Sequence, residues 1–428
     1  MFRSQADAQL TKKIYRRVPV LITEARDDQP EQNPWGITFS RMIDMANDSG
    51  LFLGAKTPTS LPLYEAKMIH QFDHRWATYR WDAAEGEVVT DDVSDAQKAR
   101  PDFVVQPRYW VEERHVLSRL ARVPRCVTKA WDEQSEDALR NALATWMVSG
   151  EASDALAELR GQTASPRQRV AERGGRLFAS LPARDAEWFN PKAAVEAKDW
   201  PPLTTDELAL LRDAPDLLTA TRDLLDRRSP RWLMGWRDIT KVANERTVIA
   251  SVVPRVGVGH TMPLFTTNQR PALAAAKLGN WTSLVLDFVA RQKIGGTHLT
   301  YSYLKQFPVL PPTAYTEADL TYIVPRVLEL TYTSHDLKPW AEDLGHHGPP
   351  FPCDPTRRAL LRAELDAWYA RMYGLTRDEL RYILDPSDTH GPDYPTETFR
   401  GLKSNNIRAF GEYRTRRLVL EAWDTINR

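Results

Sequence analysis

Cysteine is nearly absent from this chain: Cys126 and Cys353 are the two in 428 residues. They are too few and too far apart for a disulfide framework, and a reducing cytoplasm is expected. Long apolar runs are also missing. The best, around 249–253, is strand-sized, so no membrane span is expected. The N-terminus is polar and charged, without the apolar stretch of a secretion signal. Net charge is lacking too, with 57 basic residues against 57 acidic ones. A polyanionic partner would therefore have to meet a local basic face, balanced by acidic segments elsewhere.

What the sequence does contain is 14 tryptophans and 30 prolines, which point to a folded but loop-rich chain. Its length allows two or three compact units. Leu10, Ile14 and Tyr15 open the chain with a helical pattern, and Ile37 to Ala46 reads as another short helix. Asn47-Asp-Ser-Gly50 reads as a turn. Apolar and aromatic runs at 63–75, 78–81 and 103–111 read as strands. From 125 to 230 the composition shifts to Ala, Leu, Glu and Arg. Thr204-Thr-Asp-Glu207 is a capping box there, and Leu217, Leu218, Leu224 and Leu225 recur at helical spacing. Strand character returns at 246–253. Beyond Pro312 the tail reads as helical, with Pro355 at one helix start, Gly374 at its end and Thr376-Arg-Asp-Glu379 capping the next. The expected organisation is an N-terminal part at 1–124, a helical insertion at 125–230, a returning part at 231–312 and a helical tail at 313–428. The fold class is α+β, with mixed strands.

The most informative stretch is 280–311. Leu284, Val285, Phe288 and Val289 form an amphipathic helical pattern running into Arg291 and Lys293. Gly295-Gly296 suit a left-handed helix exit. Thr297 and His298 follow, and a short segment ends at Phe307 before the extended Pro308-Val-Leu-Pro-Pro. This order resembles the closing element of target-recognition domains in N6-adenine DNA methyltransferases, the TaqI-like specificity domains of type IIG restriction–modification and phage-defence enzymes. Other segments resemble the same family in the same order. They include Asn33-Pro-Trp-Gly36, Asn47-Asp-Ser-Gly-Leu-Phe52, 63–75, Trp236-Arg-Asp-Ile-Thr240 and Asn244-Glu-Arg-Thr-Val-Ile-Ala250. The resemblance covers nearly the whole chain. In that family a catalytic domain comes first, with a glycine-rich methyl-donor loop and an Asn-Pro-Pro-Tyr motif, and this chain starts after that point. The resemblance thus implies sequence-specific recognition of double-stranded DNA. It implies no cofactor in this chain, and a partner methyltransferase core, using S-adenosylmethionine, on a separate chain or missing.

Several motifs have plainer readings. Asn33-Pro-Trp-Gly36 lacks the second proline of an adenine-holding motif and reads as a structural turn. Gly257-Val-Gly259 lacks a third glycine and reads as a bulge or hairpin. Glu65 and Lys67, with Asp44 or Asp48, give the alternative of a magnesium-dependent nuclease. A truncated scaffold without DNA contact is the other alternative. His346, His347 and Cys353 show no fourth ligand at a metal-site spacing. No catalytic residue and no metal ligand is assigned.

The candidate DNA contacts are His74, Arg75, Arg108, Tyr109, Arg237, Asn244, Arg246, Arg291, Lys293, Thr297 and His298. Arginine suits guanine O6/N7 or a phosphate, and asparagine can pair bidentately with adenine. The double-glycine loop and its flanking cations lead this set, because glycine lets the backbone approach a phosphate closely.

Overall fold

The computed structural model describes residues 2–149, 165–394 and 396–427. The architecture is α+β, helix-rich with small mixed sheets. It divides into two compact units, one of Met1–Gly50, Pro62–Tyr109 and Arg231–Arg428, the other of Leu51–Leu61 and Trp110–Pro230. Among the described residues no helix is long and apolar enough to cross a membrane.

The first unit is built on a four-stranded antiparallel sheet. Its order is Thr38–Ser40, Leu264–Thr266, Trp232–Trp236 and Ala250–Pro254, with Phe39 opposite Phe265 and Met234 opposite Val252. The two long strands are buried on both faces, which matches their unbroken apolar sequences. The expected helix over 37–46 is absent. Phe39 instead joins the sheet edge, with its ring 5.6 Å from Trp236 and 5.2 Å from Tyr301, so pairing and aromatic contact outweigh a weak local helical pattern.

Two consecutive helices, Pro271–Thr282 and Leu284–Lys293, run through the core. The second is not amphipathic as expected: every residue from Leu284 to Arg291 is buried, Asp287 and Arg291 included. It also lacks a left-handed exit. Ile294 is extended, its amide closes onto Ala290, and neither Gly295 nor Gly296 has a positive φ.

Helix Pro355–Met372 starts at its proline, and Gly374 follows its end at φ +70°, as expected. Its buried Asp366 accepts the Leu284 amide at 2.7 Å and Arg246 at 3.1 Å. One carboxylate thus caps a neighbouring helix and neutralises an interior arginine. Asn33-Pro-Trp-Gly36 is a turn: the Asn33 side chain donates to and accepts from Ile37, at 2.9 and 2.8 Å. Gly36 sits at φ +57° with Asn268 2.4 Å from where a Cβ would lie, so the position excludes a side chain twice over.

The second unit is helical from Glu113 onward through its described residues. Thr204 and Glu207 form the expected reciprocal cap. Leu217, Ala220, Leu224 and Leu225 are buried together, while Leu218 is partly buried. Arg228 grips Glu207 and the Pro202 carbonyl.

Candidate nucleic-acid interface

The eleven candidate contacts separate sharply by burial. Arg291 is 6 % exposed. Its Nε donates to Asp287 at 3.3 Å, and its terminal nitrogens donate to the carbonyls of Val242, Thr398, Asn244 and Glu245 at 2.8–2.9 Å. A guanidinium has five N–H donors, and all of these are used inside the protein. Arg75 is fully buried, donating to the carbonyls of Arg100, Phe103, Lys98 and Thr333. Arg246 is buried against Asp366. His74 is buried, with Nε2 2.9 Å from Asp336 and 3.1 Å from Ser334. Arg237 ties the end of strand Trp232–Trp236 to the Ile69 and Lys67 carbonyls, and burial pushes it down to about 10. These five side chains hold loops together. Presenting them to a groove would require breaking buried hydrogen bonds, each worth on the order of 1 kcal/mol or more.

The remaining six reach the surface. Arg108 is exposed and lies 5.2 Å over the partly exposed Tyr109 ring. Asn244 is exposed, while its carbonyl accepts from Arg291. Lys293, Thr297 and His298 stand together on the loop after helix Leu284–Lys293. Lys293 donates to Gln306 at 2.9 Å and lies over Tyr15, and burial lowers its ammonium below the usual range. A β-bridge between Ile239 and His298 pins the loop. In it the Thr240 amide donates to the Thr297 carbonyl at 2.9 Å, and the Leu299 amide to Asp238 at 2.7 Å.

Three features make this loop the best-formed candidate interface. Among the described residues, the amides of Gly295, Gly296 and Thr297 donate to no protein carbonyl. A Cβ built on either glycine would meet nothing within 4 Å, so the backbone is open to close approach. His298 is 56 % exposed at its side chain, and its Nδ1 lies 3.1 Å from Asp238, a carboxylate 7 % exposed. That contact orients the ring, and Nε2 has no protein hydrogen-bond partner among the described residues.

Sequence reasoning missed the neighbours that complete this surface. Asp238 orients His298. Arg41 is exposed and lies 5.5 Å over the Tyr301 ring, whose hydroxyl is raised by burial and by Asp238 despite Arg41. Lys241 is exposed beside the bridge. Strand-like alternation through Trp236-Arg-Asp-Ile-Thr240 would have placed Asp238 inward, whereas Arg41 comes from a distant segment and left no local trace.

The nuclease alternative finds no cluster to support it. The Glu65 carboxylate accepts the Tyr79 hydroxyl at 2.6 Å, and Lys67 lies over the same ring. Asp44 caps the turn amides of Ala46 and Asn47. Among the described residues no three His, Cys, Asp or Glu side chains gather in a metal-holding group. Gly257-Val-Gly259, the one glycine pair with the look of a nucleotide loop in the sequence, is placed differently. Gly257–Val258 is a strand paired in parallel with Leu63 and Tyr64, and the Gly259 amide is spent on the Tyr64 carbonyl. These glycines serve strand packing and do not form a nucleotide loop between a strand and a helix. Compared with known proteins, the sequence matches no family model and no curated protein.

Proposed function

We propose that this chain is a duplex-DNA recognition module, acting for an N6-adenine methyltransferase core that binds S-adenosylmethionine. One observation carries the reading: an open double-glycine loop with three unused amides, flanked by Lys293, His298, Lys241 and Arg41. Amides and cations at a glycine loop suit phosphate, which sets register without carrying sequence information. Arg108 and Asn244, also exposed, are the remaining candidates for reading base edges. The order of segments resembling adenine-methylase specificity domains favours DNA over other polyanions.

Gel-shift or filter binding with duplex oligonucleotides tests the reading. If Arg41, Lys241 and Lys293 each neutralise one phosphate, log K should fall with log salt at a slope of about −2.7. Lys241→Ala with Lys293→Ala should weaken binding to all sequences alike and flatten that slope to about −0.9. Absence of duplex binding at low salt, with and without a methyltransferase core, would overturn it. So would a double variant that changes sequence preference without loss of affinity.

A further inference from the structure

A separate cavity of 140 Å³ in the first unit is lined by the loop around His70, by Lys98 and by the first turns of helix Pro355–Met372. Arg358 and Arg362 stand four residues apart on that helix and therefore share the face that lines the cavity. Three cations reach it: Lys98, Arg358 and Arg362. Two carboxylates line it as well: Asp95, which is exposed, and Asp73, which is committed to Lys98 at 2.6 Å and the Arg75 amide at 2.9 Å. Although burial acts to raise the Asp73 carboxyl, Lys98 and Arg358 hold it below the usual range.

Arg362 is the anomaly. Its guanidinium makes no hydrogen bond to any described residue, whereas Arg358 donates to Leu330 at 2.6 Å and Arg246 to Asp366. Burial, with the like charges of Arg358 and Arg246, lowers Arg362 to about 10. The carboxylates of Asp366 and Glu245 act the other way but do not outweigh burial and the two cations, so an anion hydrogen-bonded to this guanidinium would relieve a real cost. His70 adds a second unused donor. Its ring lies tilted by 31° against Trp76 with centroids 4.3 Å apart and hydrogen-bonds to no described residue. Burial and the neighbouring cations lower it to about 3, so the ring is neutral and presents one N–H and one acceptor nitrogen.

We propose that this cavity is an oxyanion site for a phosphate group, held by Arg362 and Arg358 with a hydrogen bond from His70. The site is independent of the DNA reading of the glycine loop. Guanidinium groups match the paired oxygens of a phosphate, and the cavity is small enough to desolvate one group rather than a whole nucleotide. The phosphate is either inorganic or the terminal group of a larger molecule.

Cys353 also lines the cavity and reports on its occupancy in the unmodified protein. Cys126 lies in the other unit, its thiol pushed up to about 11 by burial, and serves as an internal control. Alkylation by iodoacetamide, followed at each cysteine by peptide mass spectrometry, should slow several-fold at Cys353 in inorganic phosphate relative to chloride at equal ionic strength. Cys126 should not change. Arg362→Gln should abolish the protection while leaving the chloride rate at Cys353 little altered. A 5′-phosphorylated oligonucleotide that protects where its 5′-hydroxyl form does not would assign a terminal phosphate as the source, and protection by inorganic phosphate alone would assign the free ion. Equal rates in phosphate and chloride would overturn the proposal, as would protection that persists in Arg362→Gln.

Discussion

Replacing Lys277 with methionine is expected to raise stability at pH 7, with the gain shrinking by about 1.4 kcal/mol per pH unit to near zero by about pH 10. Lys277 is fully buried in helix Pro271–Thr282. Its ammonium nitrogen has no hydrogen-bond partner, and the rings of Phe265, Trp35 and Trp281 surround it at 4.3, 5.5 and 6.0 Å. Burial holds the amine well below its ordinary range. The ring faces attract a cation, by about 2 kcal/mol or more per desolvated contact, which is still less than the desolvation of an unpaired interior charge. The folded protein therefore holds this amine neutral, while the unfolded chain binds a proton up to about pH 10.4. Between the depressed folded value and that pH the unfolded state carries the extra proton. Stability consequently rises with pH across this window, by about 1.4 kcal/mol per unit. Methionine keeps the volume, suits aromatic neighbours and removes the proton linkage. Denaturant midpoints measured from pH 6 to pH 10 decide the matter. A variant less stable than the parent at pH 7, or one with an unchanged pH slope, would show that Lys277 is held as a cation by its aromatic neighbours.

How legible the molecule was depended on the range of the interaction concerned. Capping boxes at Thr204 and Thr376 lie within four residues, so their sequence patterns predict the observed caps. The same holds for Pro355 at a helix start and for the turn at Asn33. The Asp366 carboxylate, 82 residues from the helix start it caps, is beyond such reasoning. Sign of charge misled most. Arg291, Arg246 and Arg75 read as surface cations because an arginine is usually exposed. Whether one is buried depends on carbonyls converging from elsewhere in the chain, and the Arg291 partners come from 242–245 and from Thr398. The glycine pair fared differently. Its position beside cations was readable, but its conformation was not, because the extended Ile294 rather than a left-handed glycine ends the helix.

Arg291→Ala is expected to destabilise the first unit by about 3–5 kcal/mol, the range for breaking a buried charge pair from one side. Asp287 is 0 % exposed, and it accepts the Thr247 amide at 3.0 Å besides Arg291. Without the guanidinium it becomes an uncompensated interior charge, and four carbonyls lose their donors at once. The ring of Phe399, 4.4 Å from the guanidinium carbon, also loses its cationic neighbour. Arg291→Lys should recover only part of the loss, since an ammonium has three donors on one point and cannot span five acceptors. Lys293→Ala, two residues along, should alter stability by no more than about 0.5 kcal/mol, because its ammonium is half-exposed and bonds one surface glutamine. A DNA-binding defect in Arg291→Ala would then track the unfolded fraction and vanish when binding is corrected for it, whereas the Lys293→Ala defect would persist in fully folded protein. Urea titrations paired with duplex binding at matched salt separate the two. Parental stability in Arg291→Ala together with lost DNA affinity would place the arginine at the interface and overturn the structural role assigned to it.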